Sequence, residues 1–108
     1  MFIDGLVGAR YSIQSLNVSI VNTWVYVAMV RKDNILYLFV NGLLQGTINL
    51  PSSGDIGNYS PNVRIGRTGG NPNVQYSFDG YVDEIRITKG IARYTSNFIP
   101  PTKPFPNK

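Results

Sequence analysis

The chain has 108 residues, enough for one domain with a real core, and 43% of them are hydrophobic. Ten Lys and Arg against six Asp and Glu leave a net charge of +4. With no Cys and no His, the sequence excludes a disulfide framework, a thiolate zinc site and the commonest general base.

The cations are scattered, and Arg31-Lys32 is the one adjacent pair, followed by Asp33. A nucleic-acid groove needs a basic stripe with interleaved aromatics, so no nucleic-acid partner is expected. No stretch approaches the roughly 18 apolar residues of a membrane span, so membrane insertion is not expected. Met1-Phe-Ile-Asp-Gly5 lacks the basic and apolar regions of a signal peptide. Tyr, Val, Ile, Phe and Thr are frequent, while Glu84 is the one glutamate. That balance favours strands over helices.

Phe2-Ile3 and Ala9–Ile13 read as strands, and Leu16–Val21 alternates weakly. Val25–Arg31 is a short apolar run after Asn22-Thr23-Trp24, and Lys32-Asp33-Asn34 is a turn. Ile35–Val40 follows, with Leu36, Leu38 and Val40 on one face and Tyr37 and Phe39 on the other. Asn41-Gly42 is a strong hairpin signal, because both central residues of a type I′ turn need positive φ. Leu43–Leu50 returns as the partner strand, completing a three-stranded meander over 24–50. Both faces of this meander are apolar, whereas a two-layer sandwich buries one face of each sheet. The second face must therefore meet a loop, the proline tail or another subunit.

Pro51–Pro61 is a polar loop, Val63–Gly66 a short strand, and Arg67–Gln75 a loop rich in Gly and Asn. Tyr76–Thr88 reads as a strand, interrupted by a bulge or tight turn near Asp79-Gly80. Lys89–Thr95 is read as one helical turn. Residues 99–108 form an extended Pro-rich tail, since Pro cannot sit in a sheet interior. Trp24, Leu38, Val40 and Ile85 are the expected core, with Arg31 and Arg86 tying strand ends to carbonyls or to Asp83. The pattern is all-β, most simply a sandwich.

Several blocks recur in a recognisable order. They are Asn-Thr-Trp-Val-Tyr-Val-Ala-Met-Val-Arg (22–31), Leu-Tyr-Leu-Phe-Val-Asn-Gly (36–42) and Ile-Gly-Arg (65–67). Phe-Asp-Gly-Tyr-Val-Asp-Glu-Ile-Arg-Ile (78–87), Lys-Gly-Ile-Ala-Arg-Tyr (89–94) and Phe-Ile-Pro-Pro (98–101) follow. This order resembles the laminin-G-like, concanavalin A-like family, in the form found in bacteriophage tail and virion proteins and bacterial surface proteins. The resemblance spans 22–106 and implies an antiparallel jelly-roll β-sandwich of the concanavalin A-like lectin/glucanase fold. Family domains carry several strands before the tryptophan block, but only twenty-one residues precede Asn22 here. The chain therefore reads as a single, N-terminally shortened domain over 1–108, like the C-terminal portion of the family domain. Either it is a fragment, or the missing strands come from elsewhere, or it is a reduced version. Open strand edges and core surface invite association.

Some relatives of this fold hydrolyse glycosides, which takes two carboxyls at a set separation. Asp83 and Glu84 are the tempting pair. Neighbours on a strand point to opposite faces and cannot flank one bond. A structural role is expected instead, one of the two pairing with Arg86 or capping a loop backbone. Without His, a Ser nucleophile has no base of the usual kind. No catalytic residue is expected. Calcium is possible in the family, with Asp55 and Asp79 as weak candidates beside glycines, but turn residues bonding their own backbone are the better reading. No cofactor is expected. Glycan binding is the family's more general use, and Tyr59, Asn71, Asn73, Gln75 and Tyr76 offer amides for hydroxyls and an aromatic platform. A plain solvent loop is the blander reading of those residues.

The expected function is a non-enzymatic structural or adhesive module. It would be a bacteriophage virion or tail-fibre component that self-associates, meets a neighbouring virion protein or binds a surface. The alternative is a lectin-like module of a bacterial surface or secreted protein. The expected location is the virion, the cell surface or the extracellular space.

Overall fold

The computed structural model describes residues 2–6, 9–14, 21–51, 65–66 and 78–106. Five strands appear in chain order: β1 (Phe2–Leu6), β2 (Ala9–Ser12), β3 (Val27–Lys32), β4 (Ile35–Val40) and β5 (Leu43–Asn49). Among the described residues the pairings are antiparallel, β1 with β2 and β3-β4-β5 in a meander. Among the described residues there is no helix. The chain divides into two compact units, Met1–Asn58 with Thr88–Lys103, and Tyr59–Ile87 with Pro104–Lys108.

The meander of the first unit follows from its turn chemistry. Val40 pairs with Leu43 across a two-residue loop. Asn41 and Gly42 both have positive φ, 50° and 79°, as a type I′ turn demands. Asn41 also fixes the start of β3. Its N–H donates to the Tyr26 carbonyl at 2.8 Å, and its side-chain oxygen accepts the Tyr26 N–H at 3.0 Å. The β3–β4 turn places Asp33 at φ 53°, where Arg31 Nε donates to its carbonyl at 3.0 Å. Arg31 thus takes the expected carbonyl-tying role.

Cross-strand partners share a face. Leu36, Leu38 and Val40 share one face of β4 and are buried there. Ile13 packs against Leu36 and Leu38, joined by Ile48. Gly46 lies opposite Leu38, and a Cβ there would sit 3.8 Å from Ile13 Cδ1. Phe39 points the other way, is 0% exposed and anchors a second cluster. Tyr94 and Phe98 stack on each other at 3.6 Å and both meet the Phe39 ring edge-on. Tyr37 stacks beside Phe39, and Tyr26 meets Phe98 edge-on. The second apolar face is therefore covered by the loop that leads into the proline tail. Such a buried ring is worth about 2–3 kcal/mol by area, and its aromatic pairs add to that.

The loop is also latched. Phe98 N–H donates to the Gly42 carbonyl at 2.9 Å, and Asn97 Oδ1 accepts the Leu44 N–H at 2.8 Å. A Cβ on Gly42 would collide with the Phe98 carbonyl oxygen. Glycine is required there twice, for its φ and for this approach.

Several expectations are corrected. Trp24 lies before β3, outside the ladder, and is 69% exposed. Lys89–Thr95 makes no helical turn, because Gly90 sits at φ 87°, a left-handed value that no right-handed helix accommodates. Of the bulge or tight turn anticipated near Asp79-Gly80, the chain shows a bend at Gly80, with no ladder among the described residues there. The bulges fall elsewhere: register shifts by one between Asp4 and Leu6 and between Leu38 and Phe39. Gly5 and Gln45 are the extra residues. Expected elements at 16–20 and 63–64, and the loops at 52–61 and 67–75, lie outside the described residues.

In the second unit, the described part of the expected strand Tyr76–Thr88 forms no strand. A strand exists only while a neighbour satisfies its N–H and C=O groups. No ladder partner appears among the described residues. Ile85, expected in the core, is 52% exposed.

Candidate functional site

The acidic pair resolves into a structural arrangement. Glu84 has φ 52°, a left-handed value that costs a non-glycine residue roughly 1–2 kcal/mol. Its N–H donates to Asp83 Oδ1 at 2.8 Å, so the Asp side chain holds the turn that its neighbour needs. Glu84 Oε2 in turn accepts the Phe105 N–H at 2.8 Å. The Arg86 guanidinium lies over the Phe105 ring, 4.0 Å from its centroid, at cation–π distance. All four residues belong to the second unit.

The two carboxylates thus cap backbone, as expected. The local geometry differs from the strand anticipated, since positive φ at Glu84 breaks extension. Both oxygens that accept these bonds face N–H groups of the chain itself. Arg86 meets the Phe105 ring, a contact beyond those expected for it. The sequence carried a signal for this contact: in Pro104-Phe105-Pro106, Phe105 supplies the one backbone N–H donor.

The expected glycan residues Tyr59, Asn71, Asn73, Gln75 and Tyr76 lie outside the described residues, as does Asp55. Asp79 is exposed beside Gly80, and a Cβ on Gly80 would meet Phe78 Cε1 at 2.9 Å. Among the described residues, no three His, Cys, Asp or Glu side chains gather as a metal site would require.

Several large apolar side chains are exposed among the described residues. On the meander, Val27, Met29 and Leu43 share the face of buried Leu38 and Val40, yet all three are exposed. Val21 and Trp24 precede them and are also exposed. In the second unit, Tyr81 is 87% and Ile87 78% exposed. Isolated exposed apolar residues are ordinary, whereas the three on the meander share one sheet face.

The Laminin_G_3 family model, described as the concanavalin A-like lectin/glucanases superfamily, matches residues 1–92. The match takes in all five strands and the Asp83–Arg86 turn and stops before Phe98. No curated protein and no solved structure matches the chain. The antiparallel all-β architecture and this match over most of the sequence agree: the chain belongs to the concanavalin A-like lectin/glucanases superfamily, as a laminin-G-type jelly-roll β-sandwich module.

Proposed function

We propose that this module is adhesive and non-catalytic, and that it works by associating with copies of itself within a larger surface assembly. The observation that carries the reading is the exposed apolar row Val27, Met29 and Leu43, preceded in the chain by the exposed Trp24. Burying a row of this kind supplies association energy at about 25 cal/mol per Å² of apolar surface, less the cost of immobilising a partner. The backbone-capping roles of Asp83 and Glu84 support a non-catalytic reading. A bacteriophage virion or tail fibre is the setting proposed for the assembly, on the strength of the resemblance in the blocks at 22–31, 36–42 and 78–87.

Light scattering on the purified chain, with a thermal melt alongside, tests the proposal. A defined oligomer is expected, which Trp24→Ser combined with Val27→Ser dissociates without abolishing the cooperative melt. A folded monomer at high concentration would overturn it.

The lectin character of the superfamily supports a second reading, saccharide binding through Tyr59, Asn71, Asn73, Gln75 and Tyr76. It expects glycan affinity that falls when Tyr76 or Asn73 becomes Ala. A blank result on a broad glycan panel would remove it.

A further inference from the structure

The contacts of Phe105 have the character of recognition. Pro104 and Pro106 have no N–H, so this tripeptide offers one backbone donor and one aromatic ring. The second unit meets both with one group each. Glu84 Oε2 takes the donor at 2.8 Å, and the Arg86 guanidinium takes the ring at 4.0 Å. The two side chains stand two residues apart, on either side of Ile85. Their placement depends on the left-handed Glu84, which the Asp83 carboxylate stabilises through the Glu84 N–H. Strained backbone persists where the surrounding structure over-determines it, and it gathers at binding sites. A plain strand would point Glu84 and Arg86 to the same face, but extended backbone would leave Asp83 Oδ1 no turn to hold.

Proline-flanked segments are good ligands because their backbone is already restricted before binding, so little conformational entropy is lost. A carboxylate that accepts an N–H makes a charge-assisted hydrogen bond, stronger than a neutral one. Arg over an aromatic face adds a contact specific to ring-bearing residues.

We propose that Asp83, Glu84 and Arg86 form a binding site for a peptide segment with an aromatic residue between two prolines. In this structure Pro104-Phe105-Pro106 fills it from within the same chain. Any second copy carries the same segment, so the site is self-complementary. Its existence does not depend on the apolar row of the meander, and the two can fail separately.

The test uses the full chain carrying Phe105→Ala, which vacates the ring contact, and a fluorescent peptide Thr-Lys-Pro-Phe-Pro-Asn-Lys. Anisotropy should rise on titration with this chain. The peptide with Ala in place of Phe should bind about tenfold or more weakly, a comparison that involves no change to the protein. Adding Glu84→Ala to the chain should weaken binding by about tenfold or more, and Arg86→Ala is the second variant should that chain misfold. Absence of binding at millimolar peptide would overturn the site. So would equal binding of the two peptides. Light scattering on the Phe105→Ala chain separates the two ideas. An oligomer with no peptide binding leaves the association reading standing and removes this site. Peptide binding by a chain that is monomeric before and after the substitution does the reverse.

Discussion

Residues 35–40 and residues 81–87 look alike as sequences. Ile-Leu-Tyr-Leu-Phe-Val and Tyr-Val-Asp-Glu-Ile-Arg-Ile are both short and rich in β-branched or aromatic residues, although the second carries three charges. One becomes the central strand of a meander with four of its six residues buried. The other forms no strand, and its Tyr81, Val82, Ile85 and Ile87 are all exposed. The difference lies in where a neighbour comes from. β4 has turn residues at both ends, Asp33-Asn34 and Asn41-Gly42, which return the chain beside it within two residues. The 81–87 run has no such turn among the described residues, and Glu84 at positive φ breaks its extension. Apolar alternation describes a surface fit for a sheet, but hydrogen-bonded neighbours make the strand.

Substitutions can break this contrast, beginning with the largest effect. Phe39→Ala removes the fully buried ring that Tyr94 and Phe98 cover. It should cost about 4 kcal/mol, read as a lower urea midpoint or the loss of a cooperative melt. Gly42→Ala should cost about 3 kcal/mol in the same experiment, from strain at positive φ and from displacement of the Phe98 carbonyl. Asn97→Ala deletes the acceptor of the Leu44 N–H and should cost about 1 kcal/mol. Ile87→Ser lies in the unpaired run and should change stability by less than about 0.5 kcal/mol. A loss above about 1 kcal/mol, the size of a lost structural contact, would mean that the 81–87 run is paired. Amide hydrogen exchange sharpens the same comparison, with β4 amides protected to near the global stability and those of 81–87 exchanging rapidly.

What could be read from the sequence was mostly local. The type I′ turn rests on two adjacent residues whose φ preferences are intrinsic, so Asn41-Gly42 was legible and the meander with it. The two faces of β4 were legible because side-chain alternation is a property of any strand. That the second face needed a cover could be inferred from its composition. That Tyr94 and Phe98 supply it could not, since nothing in residues 89–98 states which surface they meet. Trp24 and Ile85 were misread as core because large apolar residues are usually buried, and exposure depends on partners outside their own segment. Gly90 defeats the helical turn through a φ value that glycine permits but does not announce. The glycan residues of the 59 and 71–76 loops lie outside the described residues. The Phe105 contact left a trace in the sequence, a phenylalanine between two prolines, which composition alone makes look like a linker.

The latch between Leu44 and Asn97 spans 53 residues, and this has a consequence for biosynthesis. The hairpins of the meander close over a few residues and can form within microseconds of leaving the ribosome. Phe98 follows about fifty positions after β5 ends, several seconds at ordinary elongation rates of about 5–20 residues per second. Through that interval the sheet stands with Phe39 and Tyr37 bare on one side. Bare apolar surface of this kind makes a folding intermediate prone to aggregation. Slowing translation between Val40 and Phe98 should therefore lower the soluble yield of this protein more than slowing it afterwards.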